Sequence, residues 1–347
     1  MDSAAQAGPM RQPTVKEVAK LAGVSPMTVS RTLAGGKNVR PEVQDRVLEA
    51  VNELGYYRNE NARSIRPGQA SGLVGVAITN LGNPYYGNFA LGVEEVAAQY
   101  GRRIVLGNTG EDTGRERQLI ADFIGRQVEG LIVVPSGDYA AHLQPASLRG
   151  TPLVLASRSV NGVSADAVVL DDVGGAYRGT KTLLDAGHRR IAYLGNVTSV
   201  FTGQRRYDGY VRALEEAGVE VDPELVRRGQ QDVETASIAM RELLDLADPP
   251  TAVFSANNRN TIGALKEIGA RLNSRSKKQS AALPAIVSFD DFELAEMMPV
   301  PVTVVDHDAR ELGRETARLL FSRLVGDKEL GPAREIEMPT HVRVVRA

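Results

Sequence analysis

Apolar positions follow two regimes along this chain of 347 residues. Near the start, in TVKEVAKLAGVSPMTVSRTLAG, they recur at Val15, Val18, Ala19, Leu21 and Ala22, then at Val24, Met27, Val29 and Leu33. That spacing predicts two short amphipathic helices rather than one continuous helix. Thr14 with Glu17 three residues later is a capping-box pattern, which places the first helix start near Val15. Gly23 can take the positive φ that ends this helix. Ser25 is expected to cap the second helix, with Pro26 in its first turn, where a missing N–H costs nothing. A third helix is expected from about Pro41 to Leu54, with Val43, Val47, Leu48, Val51 and Leu54 on one face.

From Ser71 onward the pattern changes. Short unbroken apolar runs (GLVGVAI, RRIVLG, GLIVVP, TPLVLA, RRIAYLG, TAVFSA, AIVSFD and VTVVD) alternate with helix-period stretches such as FALGVEEVAAQYG. Continuous apolar strands between helices imply parallel sheets covered on both faces. They are too many for one compact sheet, so two α/β lobes are expected. Ligands of such folds bind off the carboxyl ends of strands, here between the lobes.

Composition sharpens this picture in four places. A hydrophobic fraction of 42% with 24% charge is ordinary for a globular chain, and the length exceeds one typical core. The first residues, MDSAAQAGPMRQP, hold no apolar run that could serve as a signal peptide, and no stretch of about 18 apolar residues occurs, so a cytoplasmic protein without a membrane segment is expected. The absence of cysteine excludes disulfides, thiolate metal sites and cysteine nucleophiles. The net charge of −2 also hides an asymmetry: residues 1–66 carry 10 Lys and Arg against 7 Asp and Glu, and the remainder 31 against 36. The basic part is the helical part.

A catalytic constellation does not emerge. GGAYRGTKT, beginning at Gly174, lacks the Gly-Lys-Ser/Thr order of a phosphate-binding loop, because Thr180 separates Gly179 from Lys181. None of His142, His188, His307 and His341 stands in a metal-ligand spacing, and no Gly-x-Ser-x-Gly elbow appears. Asp171-Asp172 and Asp290-Asp291 are paired carboxylates near strand ends, which read as hydrogen-bond acceptors rather than acid/base catalysts. No catalytic residue, cofactor or metal is therefore assigned.

The second helix carries a different chemistry. Met27, Thr28, Ser30 and Arg31 give its N-terminal part a short, hydrogen-bonding, cationic surface, which is what a recognition helix needs to enter a major groove and reach base edges. Here TVKEVAKLAGVSPMTVSRTLAG closely resembles the DNA-binding head of the lac repressor (LacI/GalR) family of transcription regulators. The resemblance implies that Pro26, Met27 and Arg31 read bases. Arg31 suits bidentate pairing with guanine, and Pro26 and Met27 offer only apolar contact. Thr14, Ser25, Thr28, Ser30 and Asn38 become candidates for phosphate contacts. ENARSIR resembles the hinge helix of the family, which orders on operator DNA and wedges an apolar side chain into the minor groove. By position that residue is Ile65, where leucine is more usual, with Ala62 beside its symmetry mate. Arg58 stands where proline is common, and Pro67 ends any hinge helix.

The resemblance runs on through NPYYGNFALGVE, DDVGGAYRGTKTLLDAGHRRIAYLG, QRRYDGY, SANNRNTIGAL and VSFDDFELAEMMPVPVTVV. It implies a small all-α helix-turn-helix domain followed by a periplasmic-binding-protein-like core of two Rossmann-like α/β lobes with parallel sheets. The expected boundaries are a tail at 1–12, the helix-turn-helix domain at 13–58, a hinge helix and linker at 59–70, and the core at 71–347. Within the core, one lobe is expected at 71–171 and 301–331 and the other at 172–300 and 332–347. Carried over by motif, the effector residues are Tyr86, Thr202, Arg206, Asn257 and Asp290, a set with the two-edged polar groups and aromatic face that polyol recognition requires. Arg206 has a rival reading as an ion pair spanning the lobes.

Four positions depart from the family. Ser157 stands where aspartate is frequent, Asn258 replaces the aspartate of Asn-Asp, Gln231 falls where a stacking aromatic is common, and His307 takes the place of a glutamine. Ser157 and His307 complete the expected effector set. His307 also admits a weak pH dependence near neutrality, against the simpler reading of a surface histidine. With acceptors and an aromatic lost, a charged or phosphorylated effector balanced by arginine becomes a hypothesis beside a plain sugar; binding of neutral sugars alone in a ligand screen would refute it. RLNSRSKKQSAALP, residues 271–284, carries four positive charges and reads as a solvated surface loop.

Together these imply a regulator, in character a repressor, that binds a pseudo-palindromic operator in double-stranded DNA as a homodimer. A sugar, sugar acid or sugar phosphate between the lobes would control it allosterically. HVRVVRA follows soon after the expected last strand, without an apolar heptad tail, which favours a dimer over a tetramer. A solute-binding protein or a sugar-modifying enzyme on the same core are the alternatives.

Overall fold

The computed structural model describes residues 13–36, 38–57, 71–138, 140–274, 283–293, 295–298, 300–325 and 331–345. The expected tail at 1–12 and the hinge at 59–70, with Arg58, Ala62, Ile65 and Pro67, lie outside the described residues, as does most of the basic loop. Two compact units form, with their division at Ser71 and Gly72.

The first unit holds three helices: α1 Val15–Ala22, α2 Pro26–Leu33 and α3 Pro41–Leu54. Its local signals act as the sequence predicts. Thr14 accepts from the Glu17 amide, and the Glu17 carboxylate accepts from the Thr14 amide at 2.6 Å. Gly23 ends α1 at φ 65°, and Ser25 caps α2 by accepting from the Thr28 amide at 3.1 Å. Val18, Ala19, Ala22, Val29, Val47, Ala50 and Tyr56 form the small core. Two expected core positions are corrected: Leu21 and Leu48 are each 46% exposed, because the short α1 and the turn of α3 aim them away from this core, and Ala50 takes the buried place on α3.

The second unit contains two six-stranded sheets. The first has the order β11-β5-β4-β3-β1-β2, built from β1 Leu73–Ile78, β2 Arg103–Asn108, β3 Gly130–Val133, β4 Leu153–Ala156, β5 Asp166–Leu170 and β11 Glu335–Met338. Every pairing in it is parallel. The second has the order β12-β10-β9-β8-β6-β7, from β6 Ile191–Gly195, β7 Val226–Arg228, β8 Ala252–Ser255, β9 Ala285–Phe289, β10 Val302–Asp306 and β12 His341–Val345. It is parallel except for β12, which runs antiparallel to β10. Helices α4 Pro84–Gln99, α5 Thr113–Gly125 and α10 Ala309–Val325 cover the first sheet, and α6 Asp172–Asp185, α7 Phe201–Glu216, α8 Val233–Leu244 and α9 Asn258–Ser274 the second. Close approach of α4 and α10 depends on glycine: a Cβ on Gly92 would lie 1.9 Å from the Arg310 carbonyl, and one on Gly313 2.1 Å from that of Phe89.

The lobe boundaries differ from expectation. β10, at 302–306, belongs to the second sheet rather than the first, and β11, at 335–338, to the first rather than the second. The chain therefore crosses between lobes after β5, after β10 and after β11. β10 is an apolar strand like its neighbours, so only its partners β9 and β12 reveal its lobe. HVRVV is itself a strand rather than a tail beyond the last one.

Candidate functional site

In the first unit α2 presents an open face. Met27, Ser30 and Arg31 stand at i, i+3 and i+4 on α2, so they share a side of the helix opposite buried Val29 and Thr32. Pro26, Met27 and Arg31 are exposed, Met27 to 63%. Ser30 is half-buried, and Asn38 is exposed in a left-handed turn at φ 67°. Thr14, Ser25 and Thr28 serve the caps: the Thr14 hydroxyl contacts Glu17 at 2.9 Å, and the Ser25 and Thr28 hydroxyls lie 2.9 Å apart. Their oxygens already hold α1 and α2 in place.

In the second unit both sheets reverse their winding direction, at β1 and at β6, and loops leaving the carboxyl ends of strands meet there. They enclose a cavity of about 80 Å³ between the lobes. Tyr86, Ser157, Thr202, Arg206, Asn257 and Asp290 all line it. His307 does not: it lines an adjoining cavity of about 910 Å³, which shares Tyr85, Arg259 and Asp290 with the first.

Arg206 organises the second-lobe wall. From α7 its Nε donates to Asp172 at 2.7 Å, and one terminal nitrogen donates to the Ala256 carbonyl at 2.6 Å and to Asp290 at 3.4 Å. The guanidinium lies 3.7 Å from the centre of the Phe289 ring. All four partners belong to the second lobe, so the rival reading of a lobe-spanning ion pair is corrected: Arg206 fixes two carboxylates within one lobe. Burial pushes the Asp172 carboxyl up to about 6, against the pull of Arg206. Asp290 follows β9 in a left-handed conformation at φ 68° and has one oxygen, Oδ1, without a hydrogen-bond partner. Asn257 accepts from the Asn260 amide at 2.8 Å and so starts α9. Thr202 lies in the first turn of α7, whose N-cap Val200 offers no side-chain bond.

The first-lobe wall contains groups that motif reading did not single out. Arg158 donates two bonds of 2.7 Å to Glu111 and one of 2.8 Å to the Pro135 carbonyl. Tyr85 shares a 2.8 Å hydrogen bond with Ser157, whereas the Tyr86 hydroxyl accepts from Thr79 at 2.8 Å. The two tyrosine rings meet edge to face, 5.0 Å apart. Desolvation raises the pKa of both phenols, so neither offers a phenolate. Asn83 and Asn258 bridge the lobes by paired amide bonds.

His307 is corrected from surface histidine to one whose side chain is only 3% exposed. Its ring packs against Tyr85 at 5.6 Å and Phe289 at 6.3 Å, and neither nitrogen has a hydrogen-bond partner. Burial lowers its pKa below the usual histidine value. The paired carboxylates serve as acceptors: Asp171 caps α6 and pairs with Arg178, and Asp291 pairs with Arg343 at 2.6 Å. Among the described residues no cluster of His, Cys, Asp and Glu is placed to hold a metal ion, and no helix is long and apolar enough to cross a membrane.

An open-faced helix-turn-helix unit joined in one chain to a doubly wound, two-lobed core around a polar cleft defines a DNA-binding regulator with a ligand-binding core. Comparison with known proteins agrees. Residues 14–59 match the bacterial regulatory proteins of the lacI family, and residues 71–343 match the periplasmic binding proteins and sugar binding domain of the LacI family. The HTH-type transcriptional regulator CelR of Thermobifida fusca is 33% identical over 342 residues, covering 96% of this chain and 98% of CelR. The solved structure of a CelR-cellobiose complex superposes with a TM-score of 0.69 at 30% identity, covering 97% of this chain and all of that one. A lac repressor dimer bound to operator and the anti-inducer ONPF, at 22% identity and a TM-score of 0.78 over 97% of this chain and 98% of that one, shares the fold. The chain belongs to the LacI family and is a DNA-binding transcriptional regulator.

Proposed function

We propose that the chain represses transcription as a homodimer on a pseudo-palindromic operator, and that a carbohydrate-derived effector bound between the core lobes controls it. One observation carries the effector part: Arg206, Asn257, Asp290 and Ser157 converge on one inter-lobe cavity at the carboxyl ends of the strands. The CelR-cellobiose complex supports a saccharide-like ligand.

On DNA, Pro26, Met27 and Arg31 form the reading edge, with Arg31 paired to guanine and Pro26 and Met27 against thymine methyls, and Ser30 approaches a phosphate. Asn38 and the capped N-termini of α1 and α2 approach phosphates, where backbone N–H groups favour anions. Two such heads in a dimer address half-sites about one helical turn apart. In the core, the effector bonds to groups of both lobes, so it favours one lobe arrangement by the difference in its affinity for the two. Coupling of that kind is typically about 1–3 kcal/mol, enough to change operator affinity five-fold or more. Ala62 and Ile65 of the hinge are the proposed link to the minor groove.

Fluorescence anisotropy on a pool of pseudo-palindromic duplexes, against random duplex and over a salt titration, tests the reading. Selective binding with a steep salt slope, lost on Arg31→Ala, supports it. Binding indifferent to sequence sinks it.

A further inference from the structure

The cleft contains three arginines, of which two are spoken for. Arg158 is held bidentately by Glu111, and Arg206 by Asp172 and Asp290. The third, Arg259, lies in the first turn of α9 and lines both the inter-lobe cavity and the adjoining one. Its Nε is shut off from solvent and has no hydrogen-bond partner, and among the described residues no carboxylate lies within ion-pair distance of it. Asp232, the N-cap of α8, feels its charge, yet bonds instead to Thr235.

A second observation in the same cavity points to a ligand. Asp290 is only 7% exposed, and its Oδ1 has no donor; the Nε2 of the His307 imidazole stands off at 3.8 Å. One wall thus offers an acceptor that lacks a donor, and the same wall offers a cation that lacks an anion. A buried polar group left unpaired costs free energy, so the natural occupant supplies both partners. A neutral sugar satisfies Asp290 with a hydroxyl but meets Arg259 with hydroxyl dipoles alone. An oxyanion meets it with charge-assisted bonds, reinforced by the positive end of α9. At the cavity the first turn of α7, with Thr202 and Gly203, adds amides that no side chain caps.

We propose that Arg259 seats an oxyanion of the effector, so that the ligand is a polyhydroxylated acid or phosphate ester, with a hydroxyl on Asp290. The inference rests on the cleft being the effector site. Arg259 then sets specificity for charge, while Asp290 and Arg206 recognise the hydroxylated part.

Calorimetric titration of the full-length protein with inorganic phosphate, at ionic strength fixed with chloride, tests the seat itself. Saturable binding is expected, weakened about tenfold or more by Arg259→Gln, as loss of a charged hydrogen bond implies. Arg259→Lys keeps the charge and is expected to retain most of the binding; thermal melts of both variants confirm the fold. Glucose, gluconate and glucose 6-phosphate then identify the source, a preference for gluconate naming a carboxylate and one for the ester naming a phosphate. Equal phosphate binding by wild type and Arg259→Gln overturns the proposal. Glucose bound as tightly as its anions, with Arg259→Gln indifferent, also overturns it, yet leaves the cleft as the effector site. Phosphate binding unchanged by Arg259→Gln, with none of the three sugars competing, removes that reading as well.

Discussion

Asn83 and Asn258 join the two lobes by exchanging amide hydrogen bonds, each Nδ2 donating to the other's Oδ1, at 3.1 and 2.9 Å. Asn83 caps α4 on the first lobe, and Asn258 opens α9 on the second. Both are buried. A neutral pair of this kind closes the cleft without a charge to desolvate, and each amide answers the other's donor and acceptor. An aspartate at 258 supplies no donor, so it leaves the Asn83 oxygen with only its bond from the Tyr85 amide.

The pair therefore holds the lobes together. Asn258→Ala leaves a buried amide half-satisfied, at a cost of about 1–3 kcal/mol. Hydrogen exchange at residues 83–86 is expected to quicken in the variant, together with a lower melting temperature. Unchanged exchange there shows that the lobes stay closed without the pair.

A larger effect is expected at Arg206. Arg206→Met strands Asp172 and Asp290 in a buried wall, and removal of one partner from a buried ion pair typically costs about 3–5 kcal/mol. Asp172→Asn in the same chain removes one of the stranded charges and is expected to restore part of the loss. Urea unfolding of the four chains of this cycle measures the coupling. Additive losses would mean that Arg206 and Asp172 do not stabilise one another.

How much of this was legible in the sequence depends on the range of the interaction. The caps at Thr14 and Ser25 and the turn at Gly23 are local devices, and they are readable within four residues. The eight apolar runs all form strands: in the buried ones continuous burial demands continuous apolar character, and β2 keeps it although it lies partly exposed at a sheet edge. β5 was not singled out, and β7, β11 and β12 are harder still: VRR is three residues long, and EIEM and HVRVV place polar residues between apolar ones at sheet edges. Lobe membership of β11 is decided by β5, far away in the chain, and that of β10 by the strand just before it, β9, together with β12; periodicity encodes neither pairing. The site shows the same division. Six expected residues meet in one cavity because motif positions carry their fold context. Arg158 stands directly after Ser157, but its partner Glu111 lies 47 residues away and outside the quoted motifs, so their pairing is not readable along the chain. Arg259 lay within the quoted SANNRNTIGAL and was passed over beside its asparagines.

At the DNA face, exposure separates function from stability. Arg31 and Met27 are open to solvent, so Arg31→Ala is expected to leave the melting temperature unchanged while costing about 1–3 kcal/mol of operator affinity and relaxing the preference at one base pair. Val29, fully buried one position away from Ser30, is expected to behave oppositely: Val29→Ala lowers stability first and DNA binding only as a consequence. Parallel melts and anisotropy titrations check both, and a destabilised Arg31→Ala protein would place that side chain in the core instead.

His307 gives the core a pH dependence whose sign is fixed by its surroundings. Burial, helped by Arg206, holds its pKa below the usual value, against the opposing pull of Asp290, Asp306 and Asp308. In the unfolded chain the imidazole titrates near 6.5. Between the two values the unfolded chain binds a proton that the folded one excludes, so stability is undiminished above about pH 7 and falls as the pH drops through about 6.5. His307→Gln removes the titrating group and keeps a neutral polar side chain. The melting temperature of the wild type is therefore expected to fall more steeply from pH 7 to pH 5 than that of His307→Gln. Parallel curves for the two proteins would mean that the folded core takes up the proton as readily as the unfolded chain, through a bond to Asp290 closer than the 3.8 Å separation seen here.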